Sequence, residues 1–129
     1  MKIRYKFVAN SSSSSFVILK NSKTFKDVES QSDFHYKDND DLGRGTGAYE
    51  SVKVFVQALL DFERDYSDGL WGELPRELLE LVEKYGDENL VMVMNSDEEM
   101  GGSLGIKTYD FINGERIKNP DVVFQFDWH

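Results

Sequence analysis

The spacing of apolar residues changes period along this chain, and that change requires a mixed architecture. From Ala48, residues Val52, Phe55, Val56, Leu59, Phe62 and Tyr66 recur every three or four positions, the spacing that lines one face of an α-helix. Near the C-terminus Val122, Phe124, Phe126 and Trp128 alternate with Val123, Gln125 and Asp127, the period of a strand with one covered face. Neither an all-helical nor an all-strand fold satisfies both patterns.

The punctuation between these segments supplies further elements. A Ser-Asp-Gly turn at Ser67 to Gly69 ends the first helix. Pro75 suits the opening of a second, with Leu78, Leu81, Val82 and Tyr85 on one face and Gly86 at its stop. Leu90 to Met94 is a run of consecutive apolar residues, which fits a strand covered on both faces. Ile106 to Ile112 reads as another strand, and Asn113-Gly114 after it is the preferred pair for a two-residue type I′ hairpin, because both residues tolerate positive φ. At the other end, Lys2 to Phe7 alternates cations with Ile3, Tyr5 and Phe7, and Phe16 to Leu19 is a short β-branched apolar run. Residues 21–47 are polar and rich in Asp, Ser and Gly, the composition of an irregular loop.

The expectation is therefore one α+β domain spanning 1–129. Residues 1–20 form a basic, serine-rich strand-loop-strand, 21–47 an acidic, glycine-rich loop, and 48–129 the helical pair and C-terminal strands. The element order is ββ-loop-αα-βββ, with a mainly antiparallel sheet packed against two helices. Val52, Phe55, Val56, Leu59, Leu78, Val82, Val91, Val93, Phe124 and Phe126 are the expected core.

Charge is divided unevenly. Six basic residues and no acid precede Asp27; from Asp27 onward nine basic residues face all 24 acids. An acidic body repels nucleic-acid phosphate, so no direct DNA or RNA binding is expected. The chain has no cysteine, which rules out disulfides, thiolate metal sites and a cysteine nucleophile, and fits a cytoplasmic setting. No apolar run approaches the roughly 20 residues that span a bilayer, so no membrane partner is expected.

Candidate sites are few. Gly43, Gly45, Thr46 and Gly47 precede the first helix, where bare backbone N–H groups can hold an anion. The stretch lacks the Gly-Lys-Ser/Thr ending of a P-loop, and Asp38, Asp40 and Asp41 oppose an anion, so a flexible connector is the competing reading. Asp38, Asp40 and Gly43 match the first, third and sixth positions of an EF-hand loop, but Leu42 and Tyr49 occupy two of its ligand positions, and no metal is expected. His35 and His129 lie in no ligand-spaced or triad-like context, and no catalytic residue or cofactor is assigned. Trp71 is read as core packing between the helices rather than as an exposed anchor.

The hydroxyl run Ser11, Ser12, Ser13, Ser14 and Ser15 is read as a surface connection between two strands. Added phosphate or sugar would sit among Lys2, Arg4, Lys6 and Lys20; the same hydroxyls can also form a nest for a small anion, and a plain polar loop remains the alternative. Here the sequence resembles something known. Phe7-Val8-Ala9-Asn10, the five serines and Phe16-Val17-Ile18 resemble the N-terminal signature of a scattered group of small bacteriophage, bacterial and archaeal proteins. These begin with a short basic stretch, then Phe-Val-Ser-Asn, a run of serines, and Phe with β-branched residues; Ala9 departs from that pattern. The resemblance covers about the first 18 residues and implies a phage or prophage setting, without an activity.

Two functions fit these features. One is a non-enzymatic accessory protein that binds and modulates a host protein, in its sharper form an acidic inhibitor mimicking nucleic-acid phosphate. The other is a small enzyme or ligand-binding domain, which requires the serine run, the glycine loop and the acidic turn at Asp97 to Glu99 to converge.

Overall fold

A computed structural model describes residues 4–5, 13–37, 46–66, 69–96 and 104–128. Strand β1 (Arg4–Tyr5) and strand β2 (Ser13–Leu19) are followed by helix α1 (Lys23–Glu29) and strand β3 (Gly47–Tyr49). Helices α2 (Val52–Tyr66) and α3 (Leu74–Tyr85) come next, then a 3-10 turn over Asp87–Asn89 and strand β4 (Leu90–Ser96). Strands β5 (Tyr109–Ile112), β6 (Glu115–Lys118) and β7 (Val122–Trp128) complete the order.

The main sheet has the strand order β1-β7-β2-β4-β3. Strand β2 lies at its centre, antiparallel to both β4 and β7, and only the β1–β7 pair is parallel. The mainly antiparallel α+β domain expected from the apolar periods is thus present. The two N-terminal strands do not pair with each other, since β7 separates them.

Alternation along β2 and β4 divides the core into two. Val17, Leu90, Met92 and Met94 face α2 and α3, where they meet Val52, Phe55, Val56, Leu59, Leu74, Leu78 and Phe126. Phe16, Ile18, Val91 and Val93 face the other side, against Phe25 and Val28 of α1 and against Leu104. Each such side chain removed from water contributes about 1.5–3 kcal/mol. A register shift between Val17 and Ile18 opposite β7 places one extra residue, Val123, in that strand. This bulge turns Val122 into the α1-side core while Phe124 and Phe126 pack toward α2 and α3, so the simple alternation read across 122–128 is broken.

The irregular loop expected over 21–47 is corrected at both ends. Ser22 caps α1, its Oγ accepting from Phe25 N at 3.1 Å while donating to the Leu19 carbonyl at 2.6 Å. Phe25 and Val28 then supply a buried face. At the far end Gly47 begins β3, and His35 to Lys37 run along its outer edge: Lys37 N donates to Ala48 O at 2.7 Å and Ala48 N to His35 O at 2.9 Å. A Cβ on Gly47 would come within 2.5 Å of Lys37 Cγ, so this close approach needs glycine.

Helices α2 and α3 match their expected faces, except that Tyr66 is exposed and stacks on Phe62 with ring centroids 4.3 Å apart. Trp71 is fully buried, as expected. Of the expected core residues, Phe124 alone is only partly buried. Ser51 opens α2: its Oγ accepts from Val54 N at 3.2 Å and donates to Asp87 Oδ2 at 2.6 Å, and Asp87 Oδ1 accepts from Lys53 N at 3.0 Å.

Candidate functional site

The serine run is not a simple connection. Ser13, Ser14 and Ser15 belong to β2, with Ser15 opposite Met94 on one side and Phe126 on the other. Ser15 is fully buried and Ser14 partly so. Flanking strands override the weak strand preference of serine here. Ser11 and Ser12 lie outside the described residues, as do Gly43 and Gly45 and the acids Asp38, Asp40, Asp41 and Asp97 to Glu99. Thr46 is buried and Gly47 pairs with Met94. Strands β2 and β3 begin, and β4 ends, at one end of the sheet. Ser13 to Ser15, Thr46 and Gly47, and Asn95 and Ser96 therefore share that end on three adjacent strands. Asn95 is fixed there, its amide donating to Leu104 O at 2.8 Å and accepting from Leu104 N at 3.0 Å.

The opposite end of the sheet holds an open cavity of about 390 Å³ lined by Leu19, Asn21, Ser22, Tyr85, Asn89 and Asp121. Its polar groups are largely committed to the fold. Asp121 Oδ2 accepts from Thr24 Oγ1 at 2.8 Å, Asn119 Nδ2 donates to the same Thr24 oxygen at 2.8 Å, and Asn89 Nδ2 donates to Tyr85 O at 2.7 Å. Among the described residues, no group of three or more His, Cys, Asp or Glu is placed to hold a metal ion. No helix there is long and apolar enough to cross a membrane.

Charge is concentrated on the α2–α3 layer. Residues 52–89 carry ten acids and four bases. Two of those bases are held by neighbouring acids: Arg64 by Asp61 and Asp65 at 3.6 and 3.8 Å, and Arg76 by Glu73 and Glu80.

Tyr66 apart, the two most exposed large apolar side chains among the described residues, Phe111 and Ile112, lie elsewhere, on the hairpin formed by β5 and β6. This pair is a separate two-stranded sheet. Asn113 and Gly114 form its turn with φ of 52° and 81°, the positive values expected of a type I′ turn. Phe111 is 75% exposed, Ile112 54%, and Tyr109 and Ile117 40% each. No protein-family model, curated protein or solved structure matches the chain.

The register separates the hairpin into two unlike faces. Tyr109 pairs with Lys118 and Phe111 with Arg116, and cross-strand partners share a face. That face carries two aromatic rings and two cations, and the Arg116 guanidinium lies 3.7 Å from the Tyr109 ring centroid. The other face carries Asp110, Ile112, Glu115 and Ile117, with Asp110 bound by Lys107 at 2.6 Å. Sequence reasoning located the turn but not the role of its strands. The available signal was apolar residues on both alternating sets of a four-residue strand, Tyr109 and Phe111 on one and Ile112 on the other, which no single buried face accounts for.

Proposed function

We propose that this chain is a non-enzymatic interaction protein that engages a partner protein through the β5–β6 hairpin, in the phage or prophage setting implied by its N-terminal resemblance. The carrying observation is the exposure of Phe111, Ile112, Tyr109 and Ile117 on an arm that is not part of the main sheet. A two-stranded hairpin is marginally stable alone, and exposed aromatic and aliphatic residues on both faces of such an arm are what an interaction site presents. The acidic α2–α3 layer supports the reading by keeping copies of the protein apart, which leaves the hairpin open to a different partner. Modulation of a host factor fits this arrangement. The test is capture from the native host with wild-type protein and with a Phe111→Ser, Ile112→Ser variant. A partner retained by the first and lost by the second supports the reading; equal retention by both refutes it.

A second reading is favoured by one observation. The serine strand, Thr46, Gly47 and Asn95 meet at one end of the sheet, the convergence that a small-ligand or anion site requires. Titration with inorganic phosphate, followed by amide shifts, tests it. Shifts confined to Ser14, Ser15, Gly47 and Asn95 would support a site there, and their absence would remove this reading.

A further inference from the structure

The two faces of the hairpin differ in chemistry, and the difference specifies a partner. On the face shared by Tyr109, Phe111, Arg116 and Lys118, neither cation has an acidic partner among the described residues. Arg64, Arg76 and Lys107 are paired with carboxylates, while Lys23, Lys26, Lys53 and Lys84 also have no such pair among the described residues. What sets Arg116 and Lys118 apart is that both share one face with two exposed rings. Arg116 lies over Tyr109, which holds its guanidinium against the aromatic surface with its outer edge available. The result is two exposed rings with two hydrated cations beside them on one face.

We infer that this face binds an acidic, apolar segment of a partner protein, whose carboxylates pair with Arg116 and Lys118 while its apolar side chains cover Phe111 and Tyr109. The inference rests on the hairpin being the docking element, and it adds the chemistry of the occupant. Charge complementarity supplies the argument. Arg116 presents the planar fork that matches a carboxylate with two parallel hydrogen bonds, and an aromatic floor lowers the local dielectric in which those bonds form.

Two other occupants fit less well. A single-stranded nucleic acid also stacks on aromatic rings and pairs with cations, but it carries a charge at every nucleotide. Beyond the hairpin it meets a chain of net charge −9, whereas a peptide places its few carboxylates only where the cations are. A second copy of the chain would need a larger contact. The exposed parts of Tyr109, Phe111, Ile112 and Ile117 amount to on the order of 400 Å² per copy, about half of what each partner contributes to a stable interface.

The experiment uses fluorescence anisotropy with the full chain and three labelled probes. These are a peptide of about ten residues with two Glu set among Leu, Phe and Ser, the same peptide with Lys in place of Glu, and an oligothymidylate of similar length. The expected result is that the acidic peptide binds about tenfold or more tightly than either other probe, and less tightly as salt rises. Arg116→Glu with Lys118→Glu should then reverse the preference toward the basic peptide, and Phe111→Ala should weaken both peptides about tenfold. All three side chains are exposed, so the variants keep the core. Preference for the basic peptide or the oligonucleotide by the wild type, or no change in the variants, overturns the inference. If host capture still depends on Phe111 and Ile112 but the captured segment is basic, this inference fails while the hairpin docking reading stands. If capture ignores the hairpin, the docking reading itself fails.

Discussion

Ser15 and Gly47 flank the same residue: each is the register partner of Met94, one from β2 and the other from β3. The serine run and the glycine-rich stretch, more than thirty positions apart in the chain, are thereby brought within two strand spacings, about 10 Å. Ser15 is buried between Met94 and Phe126, whereas Ser14 is partly exposed on the other face of the strand. Ser15→Asp should cost at least about 3 kcal/mol, because it places an unpaired carboxylate in the core, and Ser14→Asp should cost distinctly less. Urea denaturation of the two variants checks this. Equal midpoints would show that Ser15 is not inside the sheet.

The turn between α2 and α3 is tied to α2 by a buried hydrogen bond from Trp71 Nε1 to Leu59 O at 2.6 Å. Trp71→Phe removes the donor and part of the volume while keeping the chain apolar. A loss of about 2–4 kcal/mol is expected. Thermal unfolding should show it as a fall in Tm of several degrees, with the same cooperativity.

Asp87 reaches from the 3-10 turn to the first turn of α2, accepting from both Ser51 Oγ and Lys53 N. This caps a helix from outside it, and the negative charge opposes the positive end of the helix dipole. Asp87→Ala should cost about 1–2 kcal/mol. Amide exchange should quicken first at Lys53 and Val54 while the centre of α2 stays protected.

Phe55 and Phe124 appear equivalent in sequence, but they differ in burial. Phe55 is completely covered and packs against Tyr49 and Phe126, with ring centroids 5.0 and 6.4 Å away. Phe124 is only partly covered. Phe55→Ala should cost about 3–5 kcal/mol, and Phe124→Ala appreciably less. Chemical denaturation of both variants distinguishes this from an equal role.

What the sequence reveals depends on how far each signal reaches along the chain. Helices α2 and α3 repeat their apolar faces over several turns, and the β5–β6 turn depends on two adjacent residues, so all three can be read directly. Helix α1 has only Phe25, Val28 and the partly polar Thr24 on its buried side, too short a pattern to show a period. Ser13 to Ser15 become strand because β4 and β7 flank them, which no local preference announces. The bulge at Val123 likewise depends on pairing with β2; its one trace in the sequence is that Val123 is apolar in a set otherwise made of Gln125 and Asp127. Of the candidate site, the turn that builds the hairpin was legible. The role of Phe111 and Arg116 was not, because a shared face exists only once the register is known.

The place of β7 between β1 and β2 governs when the molecule can assemble. This strand follows every other element in sequence, yet the central strand depends on it for half of its ladder. A ribosome-bound chain lacking β7 would present one edge of β2, including the Ser15 to Val17 stretch, unpaired to its surroundings. Emergence of β7, rather than the early formation of α2 and α3, should therefore set the moment at which the sheet closes, and chains cut short of β7 should be prone to aggregate.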